Sequence, residues 1–314
     1  MAEKQKVLYS AIIPAFNSEA TLEEVITRTR QVFESRGFDY EIIVVNDGSS
    51  DNSWEIIRRM SKFSPHIIAI SLLQNYGQHN ANFCGFRYSK GDFIITLDDD
   101  LQNPPEEIPK LISKANEGYD LVIGRFKVKQ SSFFRRAGST MINMLCNQIF
   151  KKPPGLDMSN FRLIHRSIID RVLAFRGINP YIPGLVIAYA NKPVNVETLH
   201  MPRTAGKSNY SFKRILRLVF SLLFSYTIYP LRFLVFTGVT ISFFSFLFCI
   251  AVIVSHWFRA GRVPGWASLA ALLSFFSGFI TLLLGVLGEY VIFITKSVST
   301  SLPYHVQDVS TYDT

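Results

Sequence analysis

Two long stretches without a charged residue constrain this 314-residue chain more than any other feature. Phe233–Ser255 and Trp266–Gly288 each contain 23 residues, and a helix of that length crosses about 30 Å of hydrocarbon. The segment between them is short. We therefore expect a hairpin of transmembrane helices at residues 231–256 and 265–295, with both ends on one side of a membrane. The alternative is a buried helix pair in a soluble protein.

Basic residues flank this hairpin and predict its orientation. They are Lys213, Arg214, Arg217, Arg232 and Lys296. Because basic flanks stay in the cytoplasm, we expect the protein at the inner (plasma) membrane, with its amino-terminal domain and a tail at residues 296–314 in the cytoplasm. Residues 209–230 combine several of these basic residues with a large apolar face. This mixture indicates interfacial amphipathic helices on the membrane, or simply the flank of the first span.

The first 124 residues alternate strand-like and helix-like segments. Strand-like runs lie at Leu8–Ile13, Glu41–Asn46, His66–Ser71, Asp92–Leu97 and Asp120–Gly124, and helical patterns lie near Glu19–Arg36, Ser53–Lys62, Gln78–Tyr88 and Pro105–Glu117. This alternation predicts an α/β fold with a mostly parallel central sheet that helices cover on both faces. Ligands of such sheets bind at the carboxyl ends of the strands.

A less regular region follows, up to residue 203. There we expect a helix near Ser132–Phe150, a strand near Asn160–Leu163 and a helix near Ser167–Phe175. Together with the alternating segments, these elements form one domain that spans residues 1–208.

Charge is unevenly distributed along the chain. Residues 1–120 carry 18 of the 24 acidic and 12 of the 33 basic residues, a net charge of −6, and the remainder carries +15. An acidic half suits a divalent cation. A basic half beside membrane helices suits anionic head groups or a lipid phosphate, although a general positive-inside bias explains it equally well.

An acidic cluster, Asp98–Gln102, follows the apolar strand that ends at Leu97. Residues two apart on an extended segment point the same way, so Asp98, Asp100 and Gln102 could converge. Oxygen ligands of this kind suit Mg²⁺ or Mn²⁺, and such an ion could bridge a diphosphate. The alternative is an acidic turn that caps a helix beginning at Pro104-Pro105.

Polar residues also follow the first three strands. The second strand ends in Asn46–Asp51, where Asp47 could accept hydrogen bonds from a base or a ribose. For Asp51 the alternative is capping of the next helix. Pro14–Glu19 and Asn75–Gln78 end the first and third strands.

Four of these segments resemble the polyprenyl-phosphate glycosyltransferases of the inverting GT-A superfamily. This family includes dolichol-phosphate mannosyltransferase, bacterial bactoprenol glucosyltransferase and undecaprenyl-phosphate aminoarabinose transferase. The matching segments are Pro14–Glu19, Val45–Asp51, Asn75–Gly85 and Asp98–Pro109. The last of them, DDDLQNPPEEIP, is highly specific, and Gly285–Tyr290 resembles the bacterial branch with a two-helix anchor. The resemblance covers nearly the whole chain and implies a GT-A nucleotide-sugar-binding domain.

The resemblance also implies roles for individual residues. The metal ligands would be Asp98, Asp100 and Gln102, and the nucleotide-sugar pocket would comprise Pro14, Phe16, Glu19, Asp47, Gln78, Asp98 and Asp99. The lipid-phosphate contacts would be Arg125, Arg136, Ser139, Arg203 and Lys207. Asp157, Asp100 and Arg125 would act in catalysis. Asp157 would orient the sugar or acceptor first and act as a base second, unless it merely forms a salt bridge with Arg162. Asp99 departs from the family, where this position is often Ala.

The resemblance finally implies a reaction. A monosaccharide would pass, with inversion, from a nucleotide sugar to undecaprenyl or another polyprenyl phosphate, with Mg²⁺ or Mn²⁺ as cofactor. UDP-glucose or a related UDP-sugar is the default donor, and membrane lipids, but no nucleic acid, are expected partners. Related proteins are often tetramers, so we expect a homo-oligomer. The alternatives are a processive membrane polysaccharide synthase and a catalytically silent, membrane-anchored nucleotide-sugar-binding scaffold.

Overall fold

The structure is a computed structural model that describes residues 6–126, 144–175, 180–201, 265–298 and 302–312, together with scattered residues between 219 and 247. The chain divides into two compact units. The first comprises Met1–Ser211 with Ser301–Thr314, and the second comprises Phe212–Thr300.

An eight-stranded sheet forms the centre of the first unit, in the order β7-β5-β6-β4-β1-β2-β3-β8. Its strands are β1 (Leu8–Ala15), β2 (Asp39–Asn46), β3 (Ile67–Leu72), β4 (Phe93–Thr96), β5 (Leu121–Arg125), β6 (Arg162–His165), β7 (Pro193–Glu197) and β8 (Val306–Ser310). β1 pairs in parallel with β2 and β4, β2 with β3, and β5 with β7. β6 runs antiparallel between β4 and β5, and β8 runs antiparallel to β3. The sheet is therefore mostly parallel, as predicted.

Helices connect these strands. They are α1 (Leu22–Arg36), α2 (Ser53–Lys62), α3 (Gln78–Tyr88), α4 (Ile108–Asn116), α5 (Arg166–Leu173) and α6 (Ile182–Tyr189). A 3-10 turn at Pro105–Glu107 precedes α4, where proline fixes the φ angle that a first helical turn needs. Residues 144–150 are also helical, and the earlier part of the helix predicted at Ser132–Phe150 lies outside the described residues.

The central strands are buried on both faces. Ile13 belongs to a buried cluster with residues of α1 and α4. Its neighbour Ile12 points to the other face, where a Cβ added to Gly85 of α3 would lie 2.5 Å from its Cγ2. Both isoleucines are fully buried, and burying each contributes about 1.5–3 kcal/mol to folding. Helices on both faces thus explain why these strands are apolar at successive positions.

The second unit contains α7, Trp266–Val298, a helix of 33 residues. Much of the segment at residues 209–256, where we predict interfacial helices and a first span, lies outside the described residues. Counted over the described residues alone, no helix is both long enough and apolar enough to cross a membrane. The hairpin predicted at residues 231–256 and 265–295 stays a prediction.

Candidate active site

The parallel strands of the first unit bring their polar carboxyl ends to one edge of the sheet. β1, β2, β3, β4 and β5 all run in the same direction, and the antiparallel β6 starts at the edge where they end. The loops that follow these strands and the segment before β6 therefore meet there. They contain the acidic residues that the sequence analysis singled out.

Asp47 follows β2 and joins two of these loops. Its carboxylate accepts hydrogen bonds from the backbone N–H groups of Tyr76 (2.7 Å) and Gly77 (2.8 Å). Burial raises the pKa of Asp47 to about 6, although the two hydrogen bonds oppose that shift. A Cβ on Gly48 would lie 2.6 Å from the backbone nitrogen of Asn75, so only glycine allows this close approach. The contact with a base or ribose stays a prediction, since both Asp47 oxygens already have protein partners.

Asp98 is held by three side-chain amides. Its Oδ1 accepts hydrogen bonds from Gln78 Nε2 (2.6 Å) and Asn160 Nδ2 (2.7 Å), and its Oδ2 accepts one from Asn103 Nδ2 (3.1 Å). Burial and then the charge of Asp100 raise the pKa of Asp98 to about 6, while Asn160 and Gln78 oppose this shift. The amides therefore orient a carboxylate that its surroundings make costly to ionise.

A buried arginine, Arg162, contacts Asn160, one of the amides that hold this carboxylate. Arg162 is 1% exposed and donates to Asn160 Oδ1 (3.1 Å) and to Thr96 Oγ1 (3.3 Å). Burial lowers its pKa to about 10, and the charge of Asp98 opposes that shift. The predicted alternative, a salt bridge from Asp157 to Arg162, is wrong, because β6 pairing with β4 turns Arg162 into this network. Sequence reasoning gave Asn160 and Arg162 no role at the Asp98 site.

The acidic cluster itself is a turn and not an extended segment. β4 ends at Thr96, and Leu101 adopts a left-handed φ of 58° with its side chain 7% exposed. The reasoning that alternate residues point the same way is therefore wrong for this segment, because burial of Leu101 in the core bends the backbone. Asp100 Oδ1 accepts a hydrogen bond from Gln102 N (3.1 Å) within the turn.

Asp99 faces the loop after β1. Its Oδ2 accepts a hydrogen bond from Phe16 N (3.1 Å), and its carbonyl oxygen accepts one from Thr21 Oγ1 (2.6 Å). Burial raises the pKa of Asp99, and the Phe16 N–H opposes this. The carboxylate by which this position departs from the family thus attaches the acidic turn to the loop after β1, at Phe16.

The acidic cluster Asp98–Gln102 has side chains of the kind that bind a divalent ion. Among the described residues, no three His, Cys, Asp or Glu side chains are grouped as a metal site. Asp98, Asp100 and the Gln102 amide nevertheless offer only oxygen donors, which Mg²⁺ and Mn²⁺ prefer. Because the charge of Asp100 disfavours ionisation of Asp98, a cation would relieve the repulsion between them.

The end of β1 and the loop that follows it carry three residues predicted to line the nucleotide-sugar pocket. Pro14 lies within β1 opposite Val45 of β2. Phe16 is 47% exposed at the sheet edge. Glu19 accepts hydrogen bonds from the backbone and side-chain nitrogens of Asn52, both at 3.0 Å. Glu19 therefore connects the beginnings of α1 and α2, and the nucleotide-binding roles of all three residues stay predictions.

Arg125 and Asp157 meet at the end of β5. Arg125 Nε lies 2.8 Å from Asp157 Oδ2, and their side chains are 55% and 53% exposed. Asn195, which sequence reasoning missed, accepts a hydrogen bond from Asp157 N (2.7 Å) and donates one to Ile123 O (3.2 Å). Asp157 lies three residues before Asn160, so one short segment links this ion pair with Asp98. The other predicted lipid-phosphate contacts, Arg136, Ser139, Arg203 and Lys207, lie outside the described residues.

Solved structures of two proteins were found to be similar to this chain. Glucosyl-3-phosphoglycerate synthase from Mycobacterium tuberculosis, in complex with Mn²⁺, UDP and glucosyl-3-phosphoglycerate, is 18% identical, and the match covers 70% of this chain and 79% of that one with a TM-score of 0.51. The same enzyme with Mn²⁺, UDP-glucose and phosphoglyceric acid matches with 18% identity over 70% and 79% of the two chains and a TM-score of 0.50. TarS 1–349 from S. aureus with UDP-GlcNAc is 16% identical over 68% and 66%, with a TM-score of 0.44.

A family model gives the assignment. The model described as glycosyl transferase family 2 matches residues 10–173, which include most of β1, all of β2 to β6 and the acidic cluster. The matched region spans more than half of the chain and holds the Asp98 network together with the Arg125–Asp157 pair. This chain belongs to glycosyl transferase family 2, and its first unit is a GT-A glycosyltransferase domain.

Proposed function

We propose that this protein transfers a monosaccharide, with inversion, from UDP-glucose or a related UDP-sugar to a polyprenyl phosphate at the cytoplasmic face of the inner (plasma) membrane. One observation carries the proposal. The amide-held acidic turn at Asp98 and the half-exposed Arg125–Asp157 pair lie at the same edge of the sheet and are joined by residues 157–160. A diphosphate donor and a phosphate acceptor need such neighbouring sites.

The donor side holds the diphosphate. Asp98, Asp100 and Gln102 would bind Mg²⁺ or Mn²⁺, which supplies charge neutralisation for the departing diphosphate. Phe16, about half exposed, offers a ring on which uracil can stack. The M. tuberculosis synthase, which shares the fold, was solved with Mn²⁺ and UDP, and this supports the choice of donor and ion.

The acceptor side binds a phosphate through arginine. Arg125 forms an exposed ion pair with Asp157, and exposed pairs contribute only about 0–1 kcal/mol. Arg125 can therefore exchange its carboxylate partner for an acceptor phosphate, which guanidinium binds in a bidentate manner. This exchange would leave Asp157 beside the reacting groups, where it orients the sugar.

The transfer itself is a displacement at the anomeric carbon. A phosphate monoester has a second pKa of about 6, so the acceptor oxygen attacks without prior removal of a proton at neutral pH. The bond from the anomeric carbon to the acceptor oxygen forms as the bond to UDP breaks, and the electron pair leaves on UDP. Asp157 would take the proton from the fraction of acceptor that still carries one.

Exposed apolar side chains support a lipid acceptor. Described large apolar residues on α7 that are exposed are Leu269, Leu272, Leu273, Ile280, Leu284, Leu287, Val291 and Ile294. Most are spaced three or four residues apart, as on one face of a helix. A stripe of this kind marks contact with membrane or with another protein. The membrane hairpin at residues 231–256 and 265–295 is part of the proposal and rests on the two uncharged stretches. A homo-oligomeric state such as a tetramer is also part of it and rests on the resemblance to the polyprenyl-phosphate glycosyltransferases.

The identity of the acceptor is tested by comparing a lipid phosphate with a soluble phosphate. Purified full-length protein is incubated with radiolabelled nucleotide sugars and Mg²⁺ or Mn²⁺, with either undecaprenyl phosphate or 3-phosphoglycerate as acceptor. We expect label in a single lipid-extractable product and none on 3-phosphoglycerate. Label only on 3-phosphoglycerate, or a polymer of heterogeneous length, would overturn the polyprenyl proposal. No release of nucleotide from any donor would overturn glycosyl transfer.

A further inference from the structure

The final residues of the chain form an edge of the sheet that carries the site. β8 pairs antiparallel with β3, from Ala69 opposite Ser310 to Leu72 opposite Val306, with a register shift after Ser71. The sequence alone predicts that these residues form a tail after the membrane hairpin. In the structure they lie beside the strand whose end begins the β3–α3 loop, residues 73–77.

Backbone and ring contacts extend this pairing onto the β3–α3 loop. Leu73 N donates to His305 O at 2.9 Å, beyond the last paired residue of β3. The imidazole of His305 packs against the ring of Tyr76, with ring centroids 6.3 Å apart and planes tilted by 59°. Both ends of the loop segment from Leu73 to Tyr76 therefore contact His305.

A second contact reaches α3, the helix that follows the loop. Tyr304 is 2% exposed, and its hydroxyl is hydrogen bonded to the thiol of Cys84. An open groove of about 260 Å³ beside this contact is lined by Arg87, Tyr88, Leu302, Tyr304 and Val306. The Tyr304 hydroxyl is thus a specific contact between the segment before β8 and α3.

The β3–α3 loop and the first residue of α3 supply hydrogen bonds to two site carboxylates. Tyr76 N and Gly77 N donate to Asp47, and Gln78 Nε2 donates to Asp98. Gly77 has a φ of 88°, so the chain turns sharply between its two contacts. A small displacement of residues 76–78 would disturb all three hydrogen bonds together.

We propose that His305 and Tyr304 are positioning residues for the nucleotide-sugar site. His305 fixes Tyr76, and Tyr304 fixes α3. As a result, the three hydrogen-bond donors in residues 76–78 reach the carboxylates of Asp47 and Asp98. Neither residue touches those carboxylates. The inference rests on the proposed function, because it assigns to Asp47 and Asp98 the binding of the donor.

The test compares variants of the full-length protein. His305→Ala removes the ring, His305→Phe keeps it, and Tyr304→Phe removes only the hydroxyl. Tyr312→Ala is the matched control, since Tyr312 is 43% exposed and follows β8. UDP affinity, donor KM, acceptor KM and kcat are measured for each variant, together with its Tm.

We expect His305→Ala to raise donor KM and the UDP Kd about tenfold, with kcat and acceptor KM within about twofold. His305→Phe should restore donor KM, Tyr304→Phe should raise it about threefold, and Tyr312→Ala should resemble wild type. An unchanged donor KM in His305→Ala at wild-type Tm overturns the inference. If that variant does not fold, an unchanged donor KM in Tyr304→Phe overturns it. Failure of wild type to bind UDP instead overturns the proposed function.

Discussion

The two sides of the candidate site are built differently. On the donor side, the carboxylates of Asp47 and Asp98 are fixed by hydrogen bonds from backbone and amide groups. On the acceptor side, Arg125 and Asp157 share one ion pair with about half of each side chain exposed. Buried networks resist rearrangement because unpaired polar groups are costly there. The difference indicates a preorganised donor site beside an acceptor site that can change partners.

The largest effect is expected from the acidic turn. Asp98→Asn removes the negative charge and replaces a hydrogen-bond acceptor that two amides share. We expect the rate of sugar transfer to fall about 1000-fold, a loss typical of a group that stabilises transition-state charge. Radiolabel transfer and UDP release measure it. Asp92→Asn is the control, since Asp92 accepts from Leu8 N at the opposite end of β4. Near-wild-type transfer by Asp98→Asn would contradict a donor role.

Replacement of the buried Arg162 should show how much the hydrogen-bond network on the donor side contributes to the free energy of unfolding. Arg162→Met removes the hydrogen bonds that the guanidinium donates to Asn160 Oδ1 and Thr96 Oγ1, and it removes the positive charge near the buried Asp98 carboxylate. We expect the free energy of unfolding to fall by about 3 kcal/mol, measured by urea denaturation. The matched variant Arg125→Met should lose less than about 1 kcal/mol because its ion pair is exposed. Equal losses of unfolding free energy in the two variants would contradict the contrast between a buried donor side and an exposed acceptor side.

The exposed arginine should affect the acceptor and not the donor. Arg125→Ala removes a charged donor to the acceptor phosphate, so kcat/KM for undecaprenyl phosphate should fall about 30-fold. Arg125→Lys should recover only part, since lysine cannot bind phosphate in a bidentate manner. Steady-state kinetics with each substrate varied in turn check this. A rise in donor KM without a change in acceptor kinetics would assign Arg125 to the donor side instead.

The smallest effect is a pH dependence of stability. Burial raises the pKa of Asp47 in the folded state to about 6 from 3.8. The folded state therefore binds the proton more tightly, and Asp47 favours folding at low pH. This contribution is lost as pH rises from about 4 to about 6, by about 2 kcal/mol. Across this pH range, the free energy of unfolding measured with urea should decline less steeply in Asp47→Asn than in wild type. An identical decline in both proteins would show that Asp47 titrates normally.

Local sequence patterns predicted most elements of the first unit. α2 and α3 lie where the pattern placed them, and β1 extends two residues beyond its predicted end. Apolar runs and helical periodicity depend on neighbouring residues, so they are readable along the chain. The edge where the acidic residues gather also follows from parallel strands, without any knowledge of their order.

Contacts between distant segments were not predictable in the same way. The turn at Leu101 depends on burial of that side chain in the core. β8 pairs with a strand more than 230 residues earlier, and its short exposed sequence has no apolar alternation that separates it from a tail. Asn160 and Arg162 reach Asp98 only because β6 is inserted antiparallel beside β4.

The sequence by itself determined the alternating α/β architecture, the position of the acidic cluster at the end of β4 and the uncharged stretches of the second unit, because each depends on local composition and spacing. Only the tertiary structure decided which amides hold Asp98, which carboxylate pairs with Arg125 and where the last strand lies. Those choices depend on strand order and burial, which bring together residues that no local pattern relates. The place of the acidic cluster at the end of β4 was therefore readable from the sequence, whereas its turn at Leu101 and the network that orients Asp98 were not.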